Sequence, residues 1–211
     1  MKDELRDVII RGLLTKYVSQ AGQRGHRYQT VTLGGVQIRG QRSDRWEVLD
    51  QINFAGMKVL DLGSNLGQIS LGVRARGASL VDGYEIDPFF LEIAYAISAY
   101  EQASRVSFYR RDISSAESYS EHYDVVLALS VWAFMRGVLE KIAEITDRLL
   151  ILETHELRDD LASEYLTPTA KWFPYHRILG RTDGGRRAVI AFARDESAFS
   201  ATLRPVPDEL G

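Results

Sequence analysis

The chain has 211 residues, of which 45% are hydrophobic and 26% are charged. This composition is typical of one globular domain, and the formal net charge of −3 excludes the large positive excess of a chain-wide nucleic-acid surface. Because the sequence has no cysteine, disulfides, cysteine–zinc sites and iron–sulfur clusters are excluded as well. The four histidines share no close spacing, so no metal site is expected.

No membrane span is expected either. The longest nearly apolar run, Val125 to Met135, is much shorter than the roughly 18–20 residues that cross a bilayer. The charged start of the sequence, MKDELRD, lacks the apolar core of a signal peptide. We therefore expect a cytoplasmic enzyme or binding protein.

Residues 1–55 are predicted to form a cap that begins with an amphipathic helix over residues 2–20. The apolar residues that fall at helical spacing, and would form its buried face, are Leu5, Val8, Ile9, Leu13, Leu14 and Tyr17. The first 45 residues hold nine Lys or Arg and four Asp or Glu, a local excess of +5. Such a segment suits a phosphate or carboxylate on a bound molecule, although a solvated helix face explains the same pattern.

The rest of the cap is predicted to hold a hairpin and a short helix. Gly34-Gly35 separates two β-rich stretches, residues 28–33 and 36–39, and suits a two-residue turn. Either of two polar residues would cap a helix that runs to about Ile52, namely Ser43 or Asp44.

Strands and helices alternate over residues 56–194, which predicts an α/β core with a parallel sheet. The predicted strands are residues 58–62, 80–86, 105–110, 124–129 and 148–153, and the predicted helices are 68–76, 88–102, 116–121 and 134–145. Thr182-Asp183-Gly184-Gly185 then predicts an antiparallel hairpin between residues 175–181 and 186–194. Residues 195–211 show two prolines and little periodicity, so a poorly ordered tail is expected.

The strongest local motif is VLDLGSNLG at residues 59–67, in which a strand enters a glycine-bearing turn that opens a helix. Gly63 lets the backbone turn tightly and approach a ligand. The spacing differs from the dinucleotide fingerprint G-x-G-x-x-G, and Asp61 lies two residues before the first glycine. This carboxylate would repel a pyrophosphate and attract a positively charged ligand.

Polar residues also end the next three strands. Glu85 ends the second strand and is able to accept hydrogen bonds from a ribose diol, unless it is only a helix cap or a solvated acid. Asp112 ends the third strand and would accept from an adenine amino group, unless it caps a short helix. Ser130 follows the fourth strand. Together these positions predict a ligand with several donors and little negative charge.

These segments resemble the class I S-adenosylmethionine-dependent methyltransferases over residues 57–194. VLDLGSNLG is similar to their first motif, with Asn65 where many members have glycine; YEIDP is similar to the second, RRDIS to the adenine segment and DVVLALS to the fourth-strand motif. The resemblance implies a seven-stranded Rossmann-like sheet in the order 3-2-1-4-5-7-6, with strand 7 antiparallel and helices on both faces. It implies S-adenosylmethionine as cofactor and S-adenosylhomocysteine as product. The implied cofactor-binding residues are Asp61, Leu62, Gly63, Ser64, Asn65, Gly67, Glu85, Ile86, Asp112, Ile113 and Ser130.

Methyl transfer to a hydroxyl requires a group that removes its proton. His155 follows the fifth strand and is the leading candidate base, with Glu153 as an alternative base or an orienting partner. His176 is a further candidate because it lies among aromatic residues. The alternative for His155 is a loop residue without a catalytic role, and the alternative for His176 is a residue of the core. The candidate substrate contacts are Arg42, Arg45 and Trp132, and the two arginines are alternatively contacts of the cofactor carboxylate.

The acceptor class is predicted less directly. ILETHE and FPYHRILGRTD look like segments of small bacterial methyltransferases that act on glycans or on tRNA wobble uridine derivatives. The Asn/Asp-Pro-Pro-aromatic motif of DNA adenine methyltransferases is absent after the fourth strand. We favour O-methylation of a sugar, glycan or other small metabolite. The alternatives are an RNA (tRNA) methyltransferase, a non-catalytic cofactor-binding subunit and a nicotinamide oxidoreductase.

Overall fold

A computed structural model of the chain describes residues 2–24, 30–33, 36–38, 40, 42, 44–155 and 161–205. The predicted turn at Gly34-Gly35, the candidate cap Ser43 and the end of the predicted tail, residues 206–211, lie outside the described residues.

Seven strands form one sheet, and two form a separate hairpin. The strands are β1 (Val31–Leu33), β2 (Val36–Ile38), β3 (Lys58–Leu62), β4 (Leu80–Glu85), β5 (Val106–Arg110), β6 (Tyr123–Leu129), β7 (Thr146–Glu153), β8 (Tyr175–Thr182) and β9 (Arg187–Ala193). β1 and β2 pair antiparallel, as the sequence predicts. The sheet order is β5-β4-β3-β6-β7-β9-β8, and β9 is antiparallel to both of its neighbours. This confirms the predicted order 3-2-1-4-5-7-6 with strand 7 antiparallel.

Helices cover both faces of this sheet. They are α1 (Lys2–Arg24), α2 (Arg45–Leu49), α3 (Gln68–Ala75), α4 (Pro88–Tyr100), α5 (Trp132–Met135), α6 (Leu139–Ile145), α7 (Thr167–Ala170) and α8 (Ser197–Thr202). Short 3₁₀ turns form at Ala116–Ser118 and Arg136–Val138, and a π-helical turn forms at Ala162–Leu166. No helix among the described residues has both the length and the apolar character needed to cross a bilayer.

The central strands are buried on both faces, which explains why they read as continuous apolar runs. On β3, Val59 packs with one cluster, which includes Val73 of α3 and Phe199 of α8. Leu60, one residue later, packs with the other cluster, which includes Ile142 of α6. Side chains alternate between the two faces because a strand has a period of two residues. The two cores therefore hold β3 between them, one on each face of the sheet.

The apolar face of α1 differs from the prediction. Leu5, Val8 and Ile9 were expected to be buried, but they are 62%, 61% and 46% exposed. The rest of the predicted face is confirmed, since Tyr17 is buried and Leu13 and Leu14 are partly buried where the helix packs on α4, and Ile10 joins them. Only the second half of the predicted face finds a partner, and helical spacing alone does not show which turns of a helix are covered.

The first part of the predicted tail is ordered, which corrects the expectation for residues 195–205. α8 inserts Phe199, 2% exposed, beneath the sheet, and Leu203 forms an antiparallel bridge with Ile52. The six residues of α8 are too few for a recognisable periodicity. The sequence predicts that the helix of the cap runs to about Ile52, but α2 ends at Leu49. Ile52 lies beyond the helix because it pairs with Leu203 in this bridge.

Candidate active site

A cleft of about 670 Å³ opens at the carboxyl ends of the parallel strands. This is the edge where open α/β sheets bind ligands. One part, here called the β4–β5 end, is lined by Tyr84, Glu85, Ile86, Asp87, Phe90, Arg111, Asp112, Ile113 and Ser114. The other part, here called the β6–β7 end, is lined by Leu129, Ser130, Val131, Phe134 and His155. Gly63 and Asn65 of the loop after β3 also line the cleft.

The loop after β3 adopts the left-handed backbone that its glycines allow. Gly63, Asn65 and Gly67 have φ values of 69°, 51° and 74°. A Cβ atom at Gly63 would lie 2.7 Å from Cγ1 of Val131, closer than real Cβ contacts. The absent side chain therefore lets the loop pass directly beside the β6–β7 end.

Glu85 joins this loop to the tip of β4. Its Oε1 accepts hydrogen bonds from the backbone N–H of Ile86 and Asp87, at 2.8 and 2.9 Å. Its Oε2 accepts from the backbone N–H of Asn65 at 2.9 Å. A carboxylate oxygen accepts two hydrogen bonds, so Oε2 retains capacity for one donor in the cleft. The helix-cap alternative for Glu85 does not apply, because Asp87 caps α4 by accepting from Phe89 N–H at 2.9 Å.

Asp112 lines the cleft and does not cap a helix, because Ser115 is the N-cap residue of the 3₁₀ turn at Ala116–Ser118. Its Oδ1 accepts from the backbone N–H and the hydroxyl of Ser114, at 2.9 and 2.7 Å. These hydrogen bonds lower the pKa of Asp112, so the carboxylate is ionised at neutral pH. Ile113 follows it in the same wall.

Asp61 lies behind the cleft wall rather than in it. The side chain is 2% exposed, and Ser70 Oγ of α3 donates to its Oδ2 at 2.6 Å. Burial raises the pKa of Asp61 to about 6, since it outweighs the Ser70 hydrogen bond and the charge of Arg45. Three other predicted cofactor residues are likewise absent from the lining, namely Leu62, Ser64 and Gly67. They shape the loop from inside the core, and Gly67 makes room for the ring of Phe108.

Glu153 is buried behind the β6–β7 end, where four hydrogen-bond donors surround its carboxylate. Arg45 donates from Nε at 3.1 Å and from Nη2 at 2.6 Å, Thr182 Oγ1 donates at 2.7 Å, and Ser130 Oγ donates as well. Burial alone would raise the pKa of Glu153, but the Arg45 charge and these hydrogen bonds hold it at about 2. An ionised carboxylate with these partners, 0% exposed and outside the cleft lining, fits the orienting role rather than the base.

His155 reaches the cleft from the loop after β7. Its backbone N–H donates to Tyr165 Oη at 3.1 Å, and its Nδ1 lies 3.5 Å from Nη1 of Arg187. Partial burial, followed by the charges of Arg187 and Arg42, lowers the pKa of His155. The imidazole is therefore neutral near pH 7, the state in which a ring nitrogen accepts a proton.

The remaining predicted site residues lie elsewhere. His176 is the second residue of β8, which runs parallel to the five central strands, so it lies near the opposite edge of the sheet, with its ring beside Phe192. Arg42 is buried next to Asp183, with 3.2 Å between Nη1 and Oδ2. Neither residue lines the cleft, and nor do Arg45 or Trp132.

Trp132 faces the core because α5 begins at that residue. Its ring is 3% exposed and packs against Tyr165 with 5.3 Å between ring centroids. Val131 and Phe134, three positions apart, face the cleft instead. Neither residue was predicted to line the site, because the sequence pattern places the start of this helix at Phe134. If the helix is taken to begin near Val131, the (i, i+3) spacing places Val131 and Phe134 on the same face. This spacing is the signal that would have identified both residues.

Several solved structures share this architecture. The bifunctional kinase-methyltransferase WbdD superposes with a TM-score of 0.59 at 17% identity, and the match covers 74% of this chain and 40% of WbdD. Ribosomal protein L11 methylase from Lactobacillus delbrueckii subsp. bulgaricus gives a TM-score of 0.60 at 14% identity, covering 71% of this chain and 76% of that one. Magnesium protoporphyrin IX methyltransferase from Synechocystis PCC 6803, solved with bound SAM, gives 0.55 at 21% identity, covering 70% and 74%.

The chain therefore has the fold of class I S-adenosylmethionine-dependent methyltransferases. It spans about two fifths of the length of WbdD. No protein-family model and no curated protein matched its sequence.

Proposed function

We propose that the chain transfers a methyl group from S-adenosylmethionine to a hydroxyl group of a sugar, a glycan or another small metabolite. The observation on which this rests most is the position of Glu85. Its carboxylate lines the cleft, is fixed by three backbone N–H groups and is joined through Asn65 to the left-handed loop after β3. A rigid acceptor of hydrogen bonds at this point suits a ribose diol.

The residues of the cleft fit the cofactor in three respects. Its volume of about 670 Å³ lies within the range of small-ligand sites. Ile86 and Ile113 offer apolar contacts for a nucleobase beside the carboxylates of Glu85 and Asp112. A Cβ atom at Gly63 would close the passage towards Val131, which accounts for the glycine. When bound, S-adenosylmethionine supplies a methyl group activated on a sulfonium and leaves as S-adenosylhomocysteine.

The β6–β7 end supplies the groups that act on the acceptor. His155, neutral near pH 7, accepts the proton of the acceptor hydroxyl, and Tyr165 fixes the backbone from which it projects. Glu153 keeps Arg45 and Ser130 in place beneath it. Phe134, 61% exposed, and Val131 provide an apolar wall against which the acceptor lies, and this excludes water from the reacting atoms.

Ligand titration tests the cofactor assignment. We expect S-adenosylhomocysteine to bind with one-to-one stoichiometry in calorimetry and to raise the melting temperature, whereas NAD does neither. Binding of NAD without S-adenosylhomocysteine would favour a nicotinamide oxidoreductase and would overturn the proposal.

Labelled methyl transfer tests the acceptor class. Phosphorylated sugars, nucleotide sugars and tRNA are each incubated with the chain and S-adenosylmethionine carrying a labelled methyl group. Incorporation into a sugar hydroxyl supports the proposal. Salt-sensitive incorporation into tRNA alone would identify an RNA methyltransferase instead. Cofactor binding with no transfer to any acceptor would favour a non-catalytic subunit.

A further inference from the structure

A guanidinium group lies beside the β6–β7 end of the cleft and has no part in the reaction proposed above. Arg187 is the first residue of β9, and because β9 is antiparallel this residue lies at the cleft edge of the sheet. Its Nη1 is 2.9 Å from Ser130 Oγ and 3.5 Å from His155 Nδ1. Both of these residues line the cleft, and Arg187 lies directly beside them without being part of the lining itself.

The orientation of this guanidinium group is fixed by the protein. Nε donates to Asp183 Oδ2 at 3.2 Å, and Nη1 also donates to the backbone oxygen of Thr154 at 3.3 Å. The side chain is 12% exposed, so it is largely enclosed but still reaches solvent. Within the part of the chain that the structure describes, these contacts use Nε and Nη1 and leave Nη2 without a protein partner. An arginine restrained in this way is preorganised to donate to an oxyanion.

Among the described residues, the charges that act on His155 are positive on balance, and the carboxylate of Asp183 pairs with both Arg187 and Arg42. Among the charged groups that act on His155, Arg187 and Arg42 lower its pKa, whereas Glu153 and Glu164 raise it to a smaller extent. The carboxylate of Glu153 is engaged with Arg45, which limits its effect at the cleft. Among the described residues that line the β6–β7 end, no carboxylate lies beside an anion that enters here.

We propose that Arg187 binds an anionic group of the methyl acceptor, a phosphate or a carboxylate, next to His155. This inference rests on the proposed function and adds the charge class of its substrate. The same contact would hold the acceptor in one orientation, because a planar guanidinium fixes the direction of an oxyanion as well as its position.

The cofactor also carries a carboxylate. The test must therefore distinguish an anionic group of the acceptor from the carboxylate of the cofactor. An Arg187→Gln variant that weakens S-adenosylhomocysteine binding, but leaves binding of 5′-methylthioadenosine unchanged, would assign Arg187 to the cofactor, since 5′-methylthioadenosine lacks the carboxylate. That result would overturn the inference. We expect instead that both ligands bind the variant as they bind the unaltered chain.

Inorganic phosphate is the direct probe of the site. The ring resonances of His155, assigned with His155→Gln, are followed by NMR during a phosphate titration at constant ionic strength. We expect a saturable shift and a rise in the pKa of His155, because a nearby negative charge favours imidazolium. Arg187→Gln should weaken phosphate binding roughly tenfold or more, as expected for one lost charge-assisted hydrogen bond.

Arg186→Gln is the matched control. Arg186 is the preceding residue and also bonds Asp183, but its side chain is 64% exposed. This variant should bind phosphate like the unaltered chain. The inference is overturned if phosphate leaves His155 of the unaltered chain unaffected, or if both variants lose phosphate equally. A chain that binds S-adenosylhomocysteine but not phosphate contradicts this inference alone, whereas failure to bind S-adenosylhomocysteine contradicts the proposed function.

Discussion

At the β4–β5 end of the cleft, polar contacts join residues that are close in sequence, whereas at the β6–β7 end they join distant ones. Glu85 and Asp112 bond to backbone groups one or two positions away, and the contact from Asn65 to Glu85 spans 20 positions. Glu153 contacts partners that are 23, 29 and 108 positions away. One end is thus built by local turns, and the other by the tertiary fold.

This difference has consequences for stability and for function. Local turns form with few distant contacts, so the β4–β5 end depends mainly on backbone geometry. The β6–β7 end places an ionised carboxylate in the core, where it is tolerated only because Arg45 and hydroxyl groups surround it. We therefore expect substitutions at the β6–β7 end to change stability or turnover, and substitutions at the β4–β5 end and the adjoining loop to change the affinity for the cofactor.

The largest effect is expected from Arg45→Met. The substitution leaves the Glu153 charge buried without its cation, which costs about 3–5 kcal/mol of unfolding free energy. Urea denaturation measures this loss. Arg148→Met is the control, since Arg148 on the same strand as Glu153 pairs with Asp124 at 3.0 Å with its side chain 43% exposed, and should cost no more than about 1 kcal/mol. Equal losses in the two variants would contradict the role given to the buried pair.

His155→Ala distinguishes the two ends of the cleft, because it should change turnover without changing cofactor affinity. We expect methyl transfer to slow by roughly 10²–10⁴-fold, which is the contribution of general acid–base groups, while the affinity for S-adenosylhomocysteine stays the same. Rapid-quench measurements of labelled product and calorimetry give the two quantities. Normal turnover would show that His155 is not the base.

Gly63→Ala tests the backbone geometry at the loop after β3. A side chain at this left-handed φ costs about 1–2 kcal/mol, and its Cβ would also lie 2.7 Å from Val131. Gly184 has φ 61° and nothing within 4 Å of the position that a Cβ would occupy, so Gly184→Ala meets the backbone cost alone. We expect only the Gly63 variant to lose affinity for S-adenosylhomocysteine. Equal affinity in the two variants would contradict the close passage of the loop.

A further effect concerns Asp61 and depends on pH. Its pKa is raised to about 6 in the folded chain, so folding favours the protonated form. This contribution to stability is fully present below the unfolded pKa of about 3.9 and is lost as the pH rises through about 6. The stability of Asp61→Asn relative to the unaltered chain should increase between these two pH values, as measured by urea denaturation. A difference that does not change with pH would contradict the burial of the ionised form.

The same contrast explains what the sequence could predict. The resemblance to a known family implied the strand order, whereas Gly63 and Glu85 were found from short motifs. Most cleft residues of the β4–β5 end lie at or just after the ends of strands. Arg187 and Thr182 approach the end of β7 only when β8 and β9 join the sheet there, and Arg45 reaches Glu153 from α2, so no local pattern reveals these contacts. Trp132 was predicted to contact the substrate, but α5 starts at Trp132 rather than at Phe134, and its ring therefore faces the core.

The most direct test of the account is the affinity of S-adenosylhomocysteine for the Glu85→Ala variant, measured by calorimetry against Glu140→Ala. Glu140 is an exposed carboxylate on α6, away from the cleft lining. The account predicts that Glu85→Ala loses about 1–3 kcal/mol of binding free energy and that Glu140→Ala loses none. Undiminished affinity in the Glu85 variant would contradict the assignment of this cleft to the cofactor.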